Sequence, residues 1–547
     1  MQVLVTPRLR KLLLSIAFAL VACPLPAQVR IVVPQPAGQA RAADTIEDIL
    51  RRGQQFESDR RWGDALSLYE TELRRHPNDP ALSPRHELAK IHYDLGRRYN
   101  DGSFCKSLQT LSERDATALY GELLLKIQSH YVTQPNWQEL LRRGNASLAV
   151  AIGEHKFAST NGLNASPAQL DAYRSTLERT LQSRPIRDRQ QAIDMAVYFS
   201  RLAQQQLQIS SIAALLEYVS GATGALDEYS SYLTSDQLND VYSQIEGNFV
   251  GLGIELKAAE NGLLIVKVIT GSPAERGGVL AGDVITAVDG QDVGQFSTDQ
   301  AADLLQGPEG SFARITLATN GAPRTLTLKR EQVEVPSVDG VKLIDREYGV
   351  GYLKLTCFQK TTSRDLDAAL WKLHRDGMRS LVIDVRGNPG GLLTSSVEIA
   401  DKFIEEGTIV STRGRSTLEN YTYTAHKAGT WRVPLVVLID GDSASASEIF
   451  AGAIHDHHRG TVVGERSYGK GSVQGIFPLS LAGAGVRLTT AKFYSPSGRP
   501  ISNIGVSPDV VAHQVAKALA DGTVLPTAND PVIEAGIEAA RQKLAQR

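Results

Sequence analysis

The sequence predicts a multidomain α/β protein, and three observations support this prediction. Its 547 residues exceed the roughly 100 to 200 residues of one typical domain. From Asp44 to about residue 220, apolar residues recur at helical spacing. From Phe249 onward short strands alternate with glycine turns, and after Val350 apolar strands alternate with helices. We therefore expect a helical N-terminal region, a small β-domain and an α/β core of repeated strand-helix units.

Composition and charge exclude several classes of protein. Lys plus Arg number 58 against 60 Asp plus Glu, which leaves a net charge of −2 and no concentrated basic face for nucleic acid. Hydrophobic residues at 42% and charged residues at 22% fit a globular protein rather than a polytopic membrane protein. The three cysteines, Cys23, Cys105 and Cys357, are too few for a disulfide framework or a four-thiolate zinc site.

Residues 1–23 have the features of a secretory signal. Arg8, Arg10 and Lys11 precede an apolar run over residues 12–22. This run is shorter than the about 20 residues that a membrane-spanning helix needs. We therefore expect export to the periplasm or the cell envelope.

The end of the apolar run also predicts how the chain is processed. Leu20-Val21-Ala22-Cys23 resembles a bacterial lipobox, in which the cysteine is lipidated and becomes the first residue of the mature chain. Cleavage near Ala27 by the ordinary signal peptidase is the alternative. Residues 24–43 are rich in proline and would form a tether between a lipid anchor at Cys23 and the first folded unit.

Two helical segments follow the tether. Residues 44–105 contain one match to the tetratricopeptide signature, at Gly53, Phe56, Ala65, Tyr69 and Pro77. Two interpretations stay open for this tetratricopeptide-like hairpin: it either only packs on its neighbour or forms a surface for an adaptor protein. Residues 106–245 are again helical in pattern, with a loop expected over residues 158–167 and no visible chemistry.

Residues 246–334 form the predicted β-domain. Its glycine turns occur at Gly251-Leu252-Gly253-Ile254, Gly271-Ser272-Pro273-Ala274 and Gly282-Asp283-Val284-Ile285. Together they resemble a PDZ domain, and any other small β-barrel with glycine turns is the alternative. The resemblance implies a C-terminal peptide as ligand, with its carboxylate on the N–H groups of residues 251–254. It also implies a groove helix over residues 297–305, in which Ala301, Ala302 and Leu305 face the peptide.

Residues 335–512 form the predicted α/β core, and three loops after its strands hold the informative polar residues. The first loop, residues 384–391, ends in Gly390 and Gly391. Its backbone N–H groups could stabilise an oxyanion, cradle a phosphate or only form a tight turn.

The second loop, residues 442–448, would hold Ser445 at a strand-to-helix turn. A serine in this position can expose its hydroxyl, while the N–H of Ala446 forms half of an oxyanion hole. Ser445 and Glu448 also match a capping box, so a plain helix N-cap is the alternative for Ser445.

The third loop, residues 464–474, places Lys470 between Gly469 and Gly471. It nearly matches a nucleotide-binding P-loop, but Gly471 occupies the position where Ser or Thr would bind magnesium, and the following residues are extended. A lysine can also act as a base when desolvation lowers its pKa from the usual value near 10.4. Nucleotide binding is kept as a weaker alternative.

The three loops together resemble those of the C-terminal processing peptidases, or tail-specific proteases. These are serine peptidases with a Ser-Lys dyad and an inserted PDZ domain. The resemblance implies that Ser445 is the nucleophile, Lys470 the general base and Gln474 the residue that orients the lysine. It also implies an oxyanion hole made by the N–H groups of Ala446 and of Gly391 or Gly390, with Gly391 the better fit.

The resemblance covers roughly residues 226–512 and has two departures. Glu228 and Tyr229 replace the usual Pro and His of a family segment that ends at Leu233. Gln306 stands where some members carry an arginine that links the PDZ domain to the catalytic glutamine. A switch through that arginine is therefore not expected here.

We expect from these residues an exported serine endopeptidase that binds the C-terminal tail of polypeptide substrates through its PDZ domain and cleaves nearby through an acyl-enzyme. The alternative is a catalytically silent scaffold that binds peptides with its PDZ domain and its helical hairpin. Neither function requires a metal or a cofactor, and His455-Asp456-His457-His458 is interpreted as a polar helix terminus. Residues 513–547 predict a C-terminal helical segment whose helix begins at Asp530-Pro531. The sequence contains no signal for an oligomeric state.

Overall fold

The computed structural model describes residues 45–259, 262–294, 304–305, 307–319, 322–513, 516–518, 524–526 and 530–546. The predicted signal segment, Cys23 and the tether lie outside the described residues. So do Ala301, Ala302, Gln306 and most of the predicted groove helix. Within the described part of the chain, no helix has the length and apolar character that a membrane crossing requires.

The N-terminal region is helical up to residue 223. Its helices are α1 (Ile46–Ser58), α2 (Trp62–Arg75), α3 (Leu82–Asn100), α4 (Gly102–Thr110), α5 (Glu113–His130), α6 (Trp137–Ala151), α7 (His155–Asn161), α8 (Pro167–Ser183), α9 (Arg189–Leu207) and α10 (Ser211–Thr223). Thr45, Ser112 and Ser166 form reciprocal capping boxes at the starts of α1, α5 and α8. The loop predicted over residues 158–167 is wrong at its start, because α7 continues to Asn161. The helix ends at Gly162, whose φ is +65°.

The tetratricopeptide-like hairpin is formed by α1 and α2. Tyr69 crosses α1 at Gly53, where a Cβ atom would lie 2.1 Å from the tyrosine hydroxyl oxygen. The same hydroxyl donates a hydrogen bond of 2.7 Å to Glu57. Trp62 stacks on His92 of α3, with 3.8 Å between the ring centroids. The hairpin therefore packs on its neighbour, and its use as an adaptor surface stays a prediction.

Helix α10 lies at the centre of the helical region, against α5, α6 and α9. A Cβ atom on Gly221 would lie 2.8 Å from the Cα atom of Gly144, so the backbones of α10 and α6 are in contact. One turn before Gly221 on α10, the buried carboxylate of Glu217 pairs with Arg98 at 2.7 Å, and Ser147 donates to the same oxygen. The pairing and the hydrogen bond offset the cost of burying this charge.

The β-domain is entered through β1 and α11. The elements of this part are β1 (Ser231–Leu233), α11 (Ser235–Glu246), β2 (Asn248–Gly251), β3 (Ile254–Ala259), β4 (Gly262–Val268), α12 (Pro273–Arg276), β5 (Val284–Val288), β6 (Gln291–Asp292), β7 (Phe312–Thr319), β8 (Ala322–Lys329) and β9 (Glu331–Glu334). Antiparallel strands β2 and β9 pair where the chain enters and leaves the domain. The other strands form a sheet of order β3-β4-β5-β7-β8, with β6 paired to β5.

Among the described residues, the α/β core and the C-terminal segment contain two large sheets and a separate two-stranded one. Their elements are β10 (Val338–Asp345), β11 (Val350–Leu355), α13 (Thr362–Arg375), β12 (Ser380–Asp384), α14 (Leu393–Asp401), β13 (Thr408–Gly414), a 3₁₀ turn (Thr417–Glu419), β14 (Tyr421–Thr424), β15 (Leu435–Ile439), α15 (Ala446–Asp456), β16 (Gly460–Gly464), β17 (Ser472–Pro478), β18 (Gly485–Tyr494), β19 (Val510–Val511), β20 (Ala516–Ala518), β21 (Val524–Pro526) and α16 (Pro531–Ala545). The first sheet has the order β10-β11-β12-β15-β16-β19, in which only the β10–β11 pair is antiparallel. This sheet and its helices confirm the predicted strand-helix units. The second sheet, β1-β18-β13-β14 with β17 on β18, is antiparallel and was not predicted.

The parallel sheet places the three predicted loops side by side. Strands β12 and β15 are buried along their whole length, because helices cover both faces of the sheet. In the register of the sheet, Asp384 pairs with Leu438, and Ile439 pairs with Gly464. Parallel strands end at the same edge, so the loops that follow β12, β15 and β16 begin next to each other.

Candidate active site

Ser445 occupies the turn between β15 and α15 in an unusual backbone conformation. Its φ is +56° and its ψ is −110°, a combination that costs a non-glycine residue about 1–3 kcal/mol. The residue is fully buried, and its Oγ atom has no hydrogen-bond partner among the described residues. The N–H of Glu448 donates to the backbone carbonyl of Ser445 at 2.9 Å and not to its hydroxyl. Ser445 is therefore not a side-chain N-cap, and its hydroxyl stays available for other chemistry.

The buried carboxylate of Glu448 joins the second loop to the third. Its Oε2 atom accepts the N–H groups of Ser445 and Lys470, each at 2.8 Å. Its Oε1 atom accepts the N–H of Gly469 at 2.7 Å and the hydroxyl of Ser467 at 2.6 Å. Burial raises the pKa of Glu448, and these four hydrogen bonds act in the opposite direction. From the sequence, Glu448 was identified only as a capping partner of Ser445.

Lys470 is held in a nearly closed environment, with 4% of its surface exposed. A Cβ atom on Gly471 would lie 2.2 Å from the backbone nitrogen of Ser502, so glycine is needed for this close approach. Burial lowers the pKa of Lys470 to about 7, and the positive charge of Arg487 acts in the same direction. Near neutral pH a substantial fraction of the amine is therefore unprotonated, as a general base requires.

The three candidate catalytic side chains are not joined by hydrogen bonds in the described structure. Gln474 donates from Nε2 to Ser472 at 2.9 Å and to Thr489 at 3.3 Å, while its Oε1 atom has no partner among the described residues. Because both the Ser445 hydroxyl and Gln474 Oε1 lack partners, neither is hydrogen-bonded to Lys470. The Nζ atom of Lys470 instead lies 4.3 Å from the ring centroid of Tyr229. Gln474 therefore makes no hydrogen bond to Lys470 in this arrangement, although the resemblance implies that it orients the lysine.

The glycine pair of the first loop lies directly against the Ser445 turn. A Cβ atom on Gly390 would be 2.9 Å from the Cβ of Ser445 and 3.0 Å from the nitrogen of Ala446. The N–H of Gly390 donates to the side chain of Asn388 at 2.9 Å and is therefore occupied. Among the described residues, the N–H groups of Ala446 and Gly391 have no acceptor. These two donors are the pair suited to an oxyanion hole, in line with the preference for Gly391.

The P-loop alternative for the third loop has no support in the geometry. The loop leads into strand β17 and not into a helix. The N–H groups of Gly469 and Lys470, which would face a phosphate, donate to Glu448 instead. Within the described residues, no group of three or more His, Cys, Asp or Glu side chains is placed to hold a metal ion.

The predicted peptide-binding loop of the β-domain packs on the start of α12. A Cβ atom on Gly253, whose φ is +80°, would lie 2.2 Å from the Cβ of Ser272. Leu252 is buried in the core of the domain, and Ile254 begins strand β3. Gly251 ends strand β2, which leads from the α/β core.

Sequence reasoning missed a contact at the other side of the predicted groove. Arg330 donates to the backbone carbonyls of Leu304 and Leu305, at 3.0 and 2.8 Å, and to that of Phe312 at 2.7 Å. Leu305 itself is buried with the core of the β-domain. The arginine therefore fixes Leu304 and Leu305, the described residues of the predicted groove helix.

We expect substitution of Glu448 by Gln to destabilise the protein by about 2–4 kcal/mol. The amide nitrogen of glutamine would face N–H donors that now bind a carboxylate oxygen, so buried donors would lose their acceptor. Urea denaturation of Glu448→Gln against the parent measures this, with Glu398→Gln, an exposed position on α14, as the matched control. Equal midpoints for both variants would contradict the role of Glu448.

Comparisons with known proteins identify the family of the β-domain and of the α/β core. A model of peptidase family S41 matches residues 349–512, and a PDZ-domain model matches residues 264–319. A carboxy-terminal-processing protease of Bartonella bacilliformis is 40% identical over 325 residues, which are 58% of this chain and 74% of that protein. A carboxyl-terminal-processing protease of Synechocystis is 36% identical over 305 residues, which are 54% of this chain and 71% of that protein.

Among solved structures, the photosystem II D1 C-terminal processing protease is 26% identical, and the alignment covers 79% of this chain and 97% of that chain with a TM-score of 0.39. The PDZ-domain model matches within the β-domain and the family S41 model matches within the α/β core, which identifies the two as a PDZ domain and a peptidase core. The Bartonella and Synechocystis relatives are 40% and 36% identical and are covered over 74% and 71% of their length. The chain therefore belongs to peptidase family S41, the carboxy-terminal-processing serine proteases.

Proposed function

We propose that this peptidase is an exported endopeptidase that cleaves polypeptides near their C-termini, with Ser445 as nucleophile and Lys470 as general base. One observation above all supports the proposal. The buried serine, with a hydroxyl free of hydrogen bonds, and the buried lysine are bound through their backbones to the same carboxylate oxygen of Glu448. Such a pairing brings a nucleophile and a base to one place while leaving their side chains uncommitted.

The reaction would proceed through an acyl-enzyme. The neutral amine of Lys470 accepts the proton of Ser445, whose Oγ attacks the carbonyl carbon of the scissile peptide bond. The N–H groups of Ala446 and Gly391 then donate to the developing oxyanion. The lysine ammonium returns the proton to the leaving amine, and a water molecule hydrolyses the acyl-enzyme by the same route.

Before attack, the Lys470 amine has to move to the Ser445 hydroxyl, because the two are not hydrogen-bonded in this structure. Gln474 Oε1, which also lacks a partner, is available to accept from the amine after such a movement.

The PDZ domain would hold the C-terminal tail of the substrate. Support comes from the glycine loop at residues 251–254, next to strand β3, to which an extended peptide could add as a further strand. Strands β2 and β9 pair where the chain enters and leaves the PDZ domain, and the glycine loop begins at the end of β2.

Export and membrane attachment rest on the sequence of residues 1–43. The signal pattern and the lipobox-like Cys23 support a lipoprotein in the periplasm or the cell envelope. An adaptor protein on α1 and α2 would act close to the site, because Arg74 of α2 donates to the Tyr468 hydroxyl at 2.7 Å, two residues before Lys470.

Cleavage of a loosely folded protein with an apolar C-terminal tail tests the proposed dyad. We expect Ser445→Ala and Lys470→Ala to lower kcat/KM by at least about 10²-fold, because each removes a group that takes part in proton transfer or attack. Intact-mass analysis of the products measures cleavage and locates the cut bond. Lys492→Ala, an exposed lysine on β18, is the matched control and should cleave like the parent.

The same substrate with an amidated C-terminus tests the proposed role of the PDZ domain separately from that of the dyad. It should be cleaved more slowly than the free carboxylate, by a rise in KM. Retained activity in Lys470→Ala would contradict the proposed base, and no activity in any form would favour the scaffold.

The pH dependence follows from the lowered pKa of Lys470. The active form is the neutral amine, so kcat/KM should fall as pH drops through about 7 and should be about 100-fold lower two units below that midpoint. Arg487→Met removes a positive charge that disfavours the ammonium, so the midpoint should move to higher pH. Initial rates between pH 5 and 10 measure both curves. An unchanged midpoint in Arg487→Met would show that another group controls the profile.

A further inference from the structure

The amine of Lys470 lies over the face of an aromatic ring. Its Nζ atom is 4.3 Å from the ring centroid of Tyr229, well inside the about 6 Å range of a cation–π interaction. Such a contact stabilises the ammonium and gives no stabilisation of comparable size to the neutral amine. The ring therefore favours the form of Lys470 that cannot accept a proton.

The groups that would receive the amine in an assembled site are both unoccupied. The Ser445 hydroxyl and Gln474 Oε1 are buried, and neither has a hydrogen-bond partner among the described residues. Buried polar atoms without partners are rare, since each costs about 1–3 kcal/mol. The unoccupied hydroxyl and amide oxygen offer hydrogen bonds to the amine of Lys470, which lies over Tyr229 in this structure.

The backbone around Tyr229 is anchored on both sides of the ring. The N–H of Asp227 donates at 3.0 Å to the hydroxyl of Tyr131, the residue that follows α5, and Ser230 donates to Asp227 at 2.7 Å. The hydroxyl of Ser230 accepts the N–H of Thr489 of β18 at 3.2 Å. Tyr229 thus sits on a turn held by the helical region and the antiparallel sheet, and β1 and α11 continue from that turn to the PDZ domain.

We propose that Tyr229 is a positioning residue that holds the Lys470 amine away from Ser445 in the resting enzyme, so that the dyad forms only when the amine leaves the ring. This inference rests on the proposed function, because it takes Lys470 as the base. A displacement of the turn, of α11 or of the PDZ domain would release the lysine without any change in the catalytic residues themselves.

Charged groups on three elements act on Lys470. Arg487 of β18 disfavours the ammonium, while Asp227 and Glu228 of the turn and Glu448 of α15 favour it. The Tyr229 hydroxyl is a hydrogen-bond partner of Glu228, so the comparison of Tyr229→Leu with Tyr229→Phe, which both lack that hydroxyl, attributes a change in titration to the ring.

The test is the titration of Lys470 followed by ¹³C NMR of lysine Cε atoms in the full protein, with the signal assigned through its loss in Lys470→Arg. We expect the Tyr229→Leu midpoint to lie about half to one and a half pH units below that of the parent. Tyr229→Phe keeps the ring face and should titrate like the parent. Tyr348→Leu, which removes a tyrosine under Arg541 outside the site, is the matched control and should not shift the midpoint. A midpoint that is unchanged or higher in Tyr229→Leu overturns the proposal.

A second variant covers the case in which leucine at position 229 prevents folding. Trifluorophenylalanine at this position preserves the shape of Phe but weakens the negative face of the ring, so its midpoint should lie below that of Tyr229→Phe. Equal midpoints for these two rings would exclude a cation–π contact.

Kinetics separates this inference from the proposed function. We expect kcat about one pH unit below the parent midpoint to rise several-fold in Tyr229→Leu with KM unchanged, since the ring no longer stabilises the ammonium, whereas the high-pH plateau should equal that of the parent. A fall in kcat would mean that Tyr229 supports the active dyad, and it overturns the resting role. Cleavage by Lys470→Ala would instead disprove the proposed base, whatever the NMR midpoint of Tyr229→Leu.

Discussion

The arrangement of the site depends on one buried carboxylate, that of Glu448. It collects four hydrogen bonds from two loops that are separated in the chain by a whole helix and strand. An isolated buried carboxylate would be costly, and these donors make its burial tolerable. Because the donors include the backbones of both Ser445 and Lys470, the same four hydrogen bonds fix the position of the strained serine turn relative to the lysine loop.

Next to Glu448, opposing electrostatic effects determine the protonation state of Lys470. Burial and Arg487 favour the neutral amine, whereas the three nearby carboxylates favour the ammonium. The face of Tyr229 also favours the ammonium. The resulting pKa of Lys470 is about 7, so near neutral pH a small displacement of any of these groups changes the fraction of Lys470 that is a neutral amine. A protease with such a balance is easily switched by movements of the elements that bear those groups, which include the turn before β1 and strand β18.

The sequence was sufficient to predict the α/β core and the placement of its loops. Apolar runs such as residues 380–384 and 435–439 are buried on both faces of a parallel sheet, and parallel strands necessarily bring their following loops to one edge. The glycines beside Lys470 correctly indicated close packing, because a side chain at Gly471 has no room.

Other features depended on tertiary contacts that no local pattern contains. Gln474 follows an irregularity between Val473 and Gln474 in the β17–β18 pairing, and its amide turns to Thr489 rather than to the lysine. Arg487 reaches the site from β18, a strand of the unpredicted second sheet. The Ser445–Glu448 spacing suggested a capping box, and only the folded chain distinguishes a glutamate that caps a helix from one that also binds a second loop.

The most direct measurement of the central claim is the location of the acyl-enzyme. The purified protein is mixed with a peptide ester, quenched in acid during turnover and digested for mass mapping. The account predicts an added acyl mass on the peptide that contains Ser445, present in the parent and absent in Ser445→Ala. Turnover with no adduct at Ser445, or with an adduct on another residue, would contradict it.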